Sequence, residues 1–263
     1  MGCSFGLSAP NPTATVLQVA PSPQHNVQIC EESWETGDTP HHTYLDSYGN
    51  RCERFVLPPG ESRITYRAHL LHADPHDTAN TGAQAVAPTE LPDETLAFLT
   101  PSRFCLPDEL GLEAWERFGE VEPGWGRVQA VVDFVHNLIE FVPGSSNPWT
   151  TATDVYRARQ GVCRDYAHLA ISLCRALNVP ARYVFGYISD VGVPPPAEVM
   201  DFAAWFEAYL DGGWQTFDPR NNRARTGRVI VGRGRDAADV ALITSLGSLD
   251  LTEFVVQASE LAG

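Results

Sequence analysis

The residues best placed to do chemistry lie in one run, Gly161-Val162-Cys163-Arg164-Asp165-Tyr166-Ala167-His168. A glycine turn leads into a helix that opens on Cys163, and Asn178 and Pro180 punctuate its far end. Ala167, Ile171, Cys174 and Leu177 recur three and four apart, with Ala170 alongside, so one helix face is apolar. A buried strand follows at Tyr183-Val184-Phe185 and Tyr187-Ile188. A cysteine at a helix start has a physical use: free N–H groups and the helix dipole favour its thiolate. The thiolate is a nucleophile, and neighbouring N–H groups can hold a developing oxyanion. The plain alternative, a buried inert thiol, stays open for Cys163 and is the better reading for Cys174 on the apolar face.

The segments Gly161 to His168 and Leu173-Cys174-Arg175-Ala176-Leu177-Asn178-Val179-Pro180-Ala181-Arg182-Tyr183 resemble the bacterial transglutaminase-like superfamily, which includes proteins classed as cysteine proteases. That family orders its site as Cys, then His in a His-Ala-Trp-x-Glu strand, then Asp in a Phe-Asp-Pro or Phe-Asp-Ala strand. The matching stretches are Ala203-Ala204-Trp205-Phe206-Glu207 and Phe217-Asp218-Pro219. Cys163 and Asp218 match, whereas Ala203 fills the histidine slot. The resemblance implies an α+β protein: a small β domain, then a papain-like core with the nucleophile helix packed on an antiparallel sheet. It makes Cys163 the nucleophile, its own N–H part of the oxyanion site, and Asp218 the orienting or proton-accepting carboxylate. Trp149, Trp205, Asp165 and Asn221 become cleft or supporting residues, although Trp149 reads equally well as a packing aromatic in a loop. No metal or organic cofactor is implied, and the partner is a peptide, a protein or a small acyl substrate.

Composition sets outer bounds. With 263 residues and 43% apolar content, the chain can build one large domain or two. No stretch approaches the ~20 apolar residues of a membrane span. The start, Met1-Gly2-Cys3-Ser4-Phe5, lacks basic and apolar signal regions, and Gly6 breaks a myristoylation pattern, so a cytoplasmic address is expected. A net charge of −15 without a basic run makes nucleic acid and anionic membranes unsuitable partners. The six cysteines form no C-x-x-C pair and are expected as free thiols; Cys30 and Cys52 could bridge only in an exported protein.

The elements that must position the site follow in order. Residues 1–75 read as a β domain, with strands at Thr15–Val19, Asn26–Cys30, Tyr44–Phe55 around a Gly49-Asn50 turn, and Ser62–Leu71. Histidines gather here as His25, His41, His42, His69, His72 and His76, but Pro75 breaks any helical His72–His76 register and no ligand set emerges. Residues 76–93 read as a linker and 94–263 as the core. A helix is expected over Gly126–Phe141, with His136 on its surface, and a short one capped by Thr153. Asp190–Val199, with Pro194-Pro195-Pro196, is a stiff loop. Phe202–Leu210 alternates, placing Ala203, Trp205 and Glu207 on one face, and a turn at Asp211-Gly212-Gly213 returns the chain toward Asp218. Strands at 228–231, 240–244 and 251–258 close it, with Asp236 and Asp239 as turn formers.

Without an imidazole, the thiol proton needs another acceptor. No histidine follows His168, and five helical steps of ~100° turn His168 ~140° from the cysteine. Glu207 shares the Ala203 face but lies ~13 Å along the strand at ~3.3 Å per residue. Asp218 acting through a water, or a histidine from the first domain, remains. Three readings stand: an acyltransferase or amidase with an incomplete triad, an inactive binding module, and an active enzyme carrying an introduced alanine.

Overall fold

The computed structural model describes all residues except 25, 74–75, 190–199 and 261–263. The expectations for His25, Pro75 and the Asp190–Val199 loop therefore lie outside the described residues. Six strands come first: β1 (Gly2–Ala9), β2 (Thr13–Leu17), β3 (Val27–Glu35), β4 (His41–Leu45), β5 (Arg51–Leu57) and β6 (Gly60–His72). Then follow α1 (Gly111–Phe118), α2 (Trp125–Leu138), β7 (Glu140–Phe141), α3 (Ala152–Ala158), β8 (Gln160–Gly161) and α4 (Cys163–Ala176). The chain ends with β9 (Ala181–Ile188), β10 (Ala203–Leu210), β11 (Gly213–Phe217), β12 (Arg228–Gly234), β13 (Ile243–Leu246) and β14 (Asp250–Gln257).

The central antiparallel sheet runs β11-β10-β9-β12, with α4 packed on it. The α4 face of this sheet carries Phe185, Tyr187, Ala204, Phe206 and Phe217, which join one large core. Val184, Ile188 and Trp205 form a second cluster with Ala203 against it, so the alternation read from β10 matches its two faces. Helix α4 is buried from Asp165 through Arg175, because its apolar stripe meets the sheet while other helices flank it.

The boundaries drawn from sequence need correction. Strand β14 pairs with β1, from Asp250 opposite Ser8 to Gln257 opposite Gly2, and β13 pairs with β2. Residues 243–257 thus complete the two N-terminal sheets, ordered β14-β1-β6-β3 and β13-β2-β5-β4, rather than the core. Each otherwise open edge gains a ladder of hydrogen bonds. The expected linker is also fastened: Gln84 bridges Gly124, Ala85 bridges Leu210, and Asp77 accepts from Arg228. Strand β1, not among the strands expected, alternates Cys3, Phe5, Leu7 and Ala9 with Gly2, Ser4, Gly6 and Ser8. The cap of α3 is Thr151, not Thr153; its hydroxyl accepts from the Asp154 N–H while the Asp154 carboxylate accepts from the Thr151 N–H.

The N-terminal histidines have individual roles: His41 stacks on Phe55, His72 Nε2 lies 3.2 Å from the Arg228 carbonyl, and His76 Nδ1 lies 3.1 Å from Thr226 Oγ1. Among the described residues, no three of His, Cys, Asp or Glu gather where they could hold a metal ion. Among them, too, no helix is long and apolar enough to cross a membrane.

Gly186 stands opposite Ala203, and a Cβ there would come within 2.0 Å of the Val229 carbonyl oxygen, next to a bulge in β12. Gly186→Ala is expected to lower the unfolding free energy by about 2–3 kcal/mol, read from urea denaturation. An unchanged midpoint would show that β12 yields freely.

Candidate active site

The chain enters α4 through a local device written in the sequence. The Asp165 carboxylate folds back to accept the Val162 N–H at 2.8 Å and is fully buried. Gly161 allows this, since a Cβ there would meet the Asp165 Cβ at 2.8 Å. Arg164 closes over the same carboxylate at 3.2 Å and donates to the Asn147 carbonyl at 3.0 Å. Asp165, expected as a supporting residue, therefore sets the first turn of the nucleophile helix.

Cys163 is half-buried at that first turn. Its Sγ lies 4.0 Å from the Phe202 carbonyl oxygen, with the thiol as donor, and the backbone N–H groups of Ala204 and Arg164 point to the sulfur. The sulfur thus sits against the peptide groups on either side of Ala203. There β10 has an open edge, because β11 pairs with it only from Phe206 onward. Burial pushes the thiol pKa up; Arg220 and the two N–H groups pull it down by less, and Asp201 adds to the rise. On balance the burial of the sulfur favours the neutral thiol.

The strand carrying Ala203 is pinned by the residue before it. The Phe202 ring packs on Tyr187 at 4.6 Å, Phe185 at 5.9 Å and Phe254 at 6.2 Å. Phe254 belongs to β14, so the C-terminal strand that completes the first sheet also fixes the carbonyl touching the sulfur.

Asp218 directly follows β11, level with Trp205 and on the face that carries Ala203. Its Oδ1 accepts the N–H groups of Arg220 at 3.1 Å and Asn221 at 2.9 Å; its Oδ2 accepts Asn221 Nδ2 at 2.8 Å and Arg228 Nη2 at 2.9 Å. Arg228 starts on β12 opposite Ile188, while Ala203 stands opposite Gly186. The Arg228 guanidinium lies 4.9 Å over the Trp205 ring and meets Asp218 there. The pair is buried, with 7% and 3% of the two side chains exposed, and Asp77 accepts Arg228 Nε at 2.7 Å. Three donors and a guanidinium thus occupy the lone pairs of this carboxylate. Trp205 is the floor under this pair, and Asn221 ties the Asp218 turn.

The other stand-ins are occupied as well. His168 is buried between Phe104 and Tyr183, its Nε2 accepts the Ala237 N–H at 3.2 Å, and burial holds its pKa well below the usual imidazole value. Glu207 is held by Arg182 at 2.6 Å and Arg233 at 3.1 Å; burial raises its pKa, but the two guanidinia together outweigh that. Asp236 and Asp239 do form turns, and Asp236 also accepts the Phe104 N–H at 2.8 Å. His136, expected at the surface, instead lies half-buried with Nδ1 3.1 Å from the Pro219 carbonyl. Two residues missed in the sequence act on the sulfur: Arg220, whose guanidinium sits 3.9 Å over Phe141, and Asp201, whose carboxyl is pushed up by burial. Arg220 follows the Phe-Asp-Pro motif directly, a position that could have flagged it. Trp149 is 71% exposed and lies under the Arg103 guanidinium at 5.7 Å.

The chain is similar to several known proteins. The family model of the transglutaminase-like superfamily matches residues 116–219, which hold Cys163, Ala203 and Asp218. The crystal structure of a "putative cysteine protease" from Cytophaga hutchinsonii is 31% identical, with a TM-score of 0.87 over 97% of this chain and 88% of that one. An uncharacterized protein of Mycobacterium leprae is 28% identical over 231 residues, 85% of this chain and 76% of its own length. One from Mycobacterium bovis is 37% identical over 108 residues, 34% of its length.

The raised thiol pKa gives a pH dependence. Alkylation of Cys163 by iodoacetamide should be slow at pH 7 and climb only above the free-thiol range of about 8.5. Fast alkylation below pH 7, absent in Cys163→Ser, would contradict a neutral thiol. Separately, Asp218→Asn leaves Arg228 with one carboxylate instead of two, so it should lower the unfolding free energy by about 3 kcal/mol. A loss below about 0.5 kcal/mol in denaturant titration would mean that the pair is not held in the folded protein.

Proposed function

The chain belongs to the transglutaminase-like superfamily, and on that premise we propose that it is a cysteine acyltransferase whose Cys163 takes acyl groups from activated thioesters rather than from amides. The observation that carries this reading is the state of the sulfur. It touches the peptide groups flanking Ala203, where no ring stands to move a proton, while Asp218 is committed to Arg228. Cleaving an amide requires protonating the departing amine, the task that imidazole performs in a Cys-His-Asp site. A thioester makes no such demand. The Cys163 Sγ–carbonyl carbon bond forms, the substrate C–S bond breaks, and the thiolate leaves with the electron pair. The Cys163 proton passes to solvent. Among the described residues, no acceptor pairs with the Cys163 N–H at the first turn of α4, so it can donate to the tetrahedral oxygen.

A binding module is the second reading, favoured by the same neutral thiol and by the Arg228–Asp218 pair. In that case the cleft holds a peptide or protein without covalent chemistry. The two readings part on one experiment. The protein is incubated at pH 8 with a short-chain acyl thioester and examined by intact mass. We expect one acyl adduct, absent in Cys163→Ser, and no cleavage of a comparable peptide amide. No adduct at millimolar thioester would leave the binding module standing, and rapid amide cleavage would overturn both readings.

A further inference from the structure

Beside the nucleophile helix lies a cluster that the acyl-transfer reading does not use. Arg103 is exposed, and its guanidinium rests 5.3 Å from the Phe104 ring centroid and 5.7 Å from that of Trp149. Among the described residues no carboxylate lies within ion-pair reach of it, on a chain of net charge −15. Its charge is thus held in place by two rings while its capacity to pair with an anion stays unspent. Arg164, next to Cys163, approaches the same Phe104 ring at 5.4 Å and grips the Asn147 carbonyl. The loop bearing Trp149 is therefore tied to the helix turn that carries the sulfur. Within that loop, Asn147 Oδ1 accepts the Trp149 N–H at 2.8 Å and Thr150 Oγ1 accepts the Asn147 N–H at 3.0 Å. The indole is 71% exposed, yet its backbone is fixed on both sides.

We propose that Arg103 and Trp149 form a substrate subsite that selects acyl groups carrying a carboxylate, the indole face covering the acyl chain and the guanidinium pairing with its far end. The proposal rests on the acyl-transfer reading and names its substrate class. A single exposed aromatic is ordinary on a protein surface. What distinguishes this one is the clamped guanidinium lying on it and the physical link through Arg164 to Cys163. A planar two-donor fork held over an aromatic face suits a carboxylate on a flat or extended chain. The acids nearby do not neutralise Arg103: Asp165 is spent on Arg164 and the Val162 N–H, and Asp154 caps α3. Asp201 acts instead on the Cys163 sulfur and on Arg220.

The test compares two thioesters of N-acetylcysteamine with acyl chains of equal carbon number, one from glutarate and one from pentanoate. Acylation of Cys163 is followed by intact mass, and each rate is divided by that of free N-acetylcysteine. We expect a glutaryl-to-pentanoyl ratio at least about tenfold above unity, falling toward unity in Arg103→Gln and falling partly in Trp149→Leu. A ratio that Arg103→Gln leaves unchanged overturns the proposal, as does a preference for pentanoyl. If neither thioester acylates Cys163, the acyl-transfer reading fails and the subsite is judged by alkylation. An iodoacetate-to-iodoacetamide rate ratio that drops at least about twofold in Arg103→Gln keeps the anion subsite, and an unchanged ratio removes it.

Discussion

The pairing of Arg228 with Asp218 governs what this site can do. A buried carboxylate needs its charge matched, and in a Cys-His-Asp site an imidazole meets part of that need while it works on the thiol. Here a guanidinium from β12 lies over Trp205 and meets it instead, and Asp77 shares the cation. Two consequences follow. Asp218 can be retained for its fit to Arg228 rather than for proton transfer. The face on which a ring at position 203 would stand already holds a permanent positive charge, so the small methyl of Ala203 is compatible with the arrangement.

The sulfur is positioned by parts of the chain far apart in sequence. Asp165 folds back to set the first turn of α4, which aims Sγ at the open edge of β10. Phe202 fixes that edge through an aromatic cluster reaching β14, itself the last strand of the N-terminal sheet. Burial then keeps the thiol protonated against the pull of Arg220 and two backbone N–H groups. The result is a nucleophile with donors around it and Ala203 where an imidazole would stand. Such a site suits leaving groups that depart as stable anions.

Much of the positioning was legible in the sequence because it is local. The helix from Cys163, the two faces of Phe202–Leu210 and the turn at Asp211–Gly213 are set by periodicity, helix punctuation and hairpin chemistry within short windows. The return of β13 and β14 to the first two sheets was not legible, since pairing across more than two hundred residues leaves no local mark. Strand β1 escaped although Cys3, Phe5, Leu7 and Ala9 alternate, because the residues between them are glycines and serines, of which glycine is poor in strand propensity. At the site, Cys163, Asp218 and the vacant ring position came from motif order. The captor of Asp218 did not, because Arg228 reads as an ordinary strand arginine until the sheet order places it. His168 could be set aside from helix geometry alone, whereas His136 could not be placed, since its partner is a carbonyl on a distant turn.

Arg228 holds Asp218 and places a cation on the face of position 203, so it should keep a histidine restored there from activating the thiol. Measuring the pKa of the Cys163 thiol in Ala203→His, with and without Arg228→Gln, tests it directly. The guanidinium opposes a neighbouring imidazolium and withholds Asp218, so the histidine alone should leave the thiol ionising above about 8, and the double variant should bring it down by at least about one unit. A thiol that already ionises below pH 7 in Ala203→His, with Arg228 intact, would contradict the account.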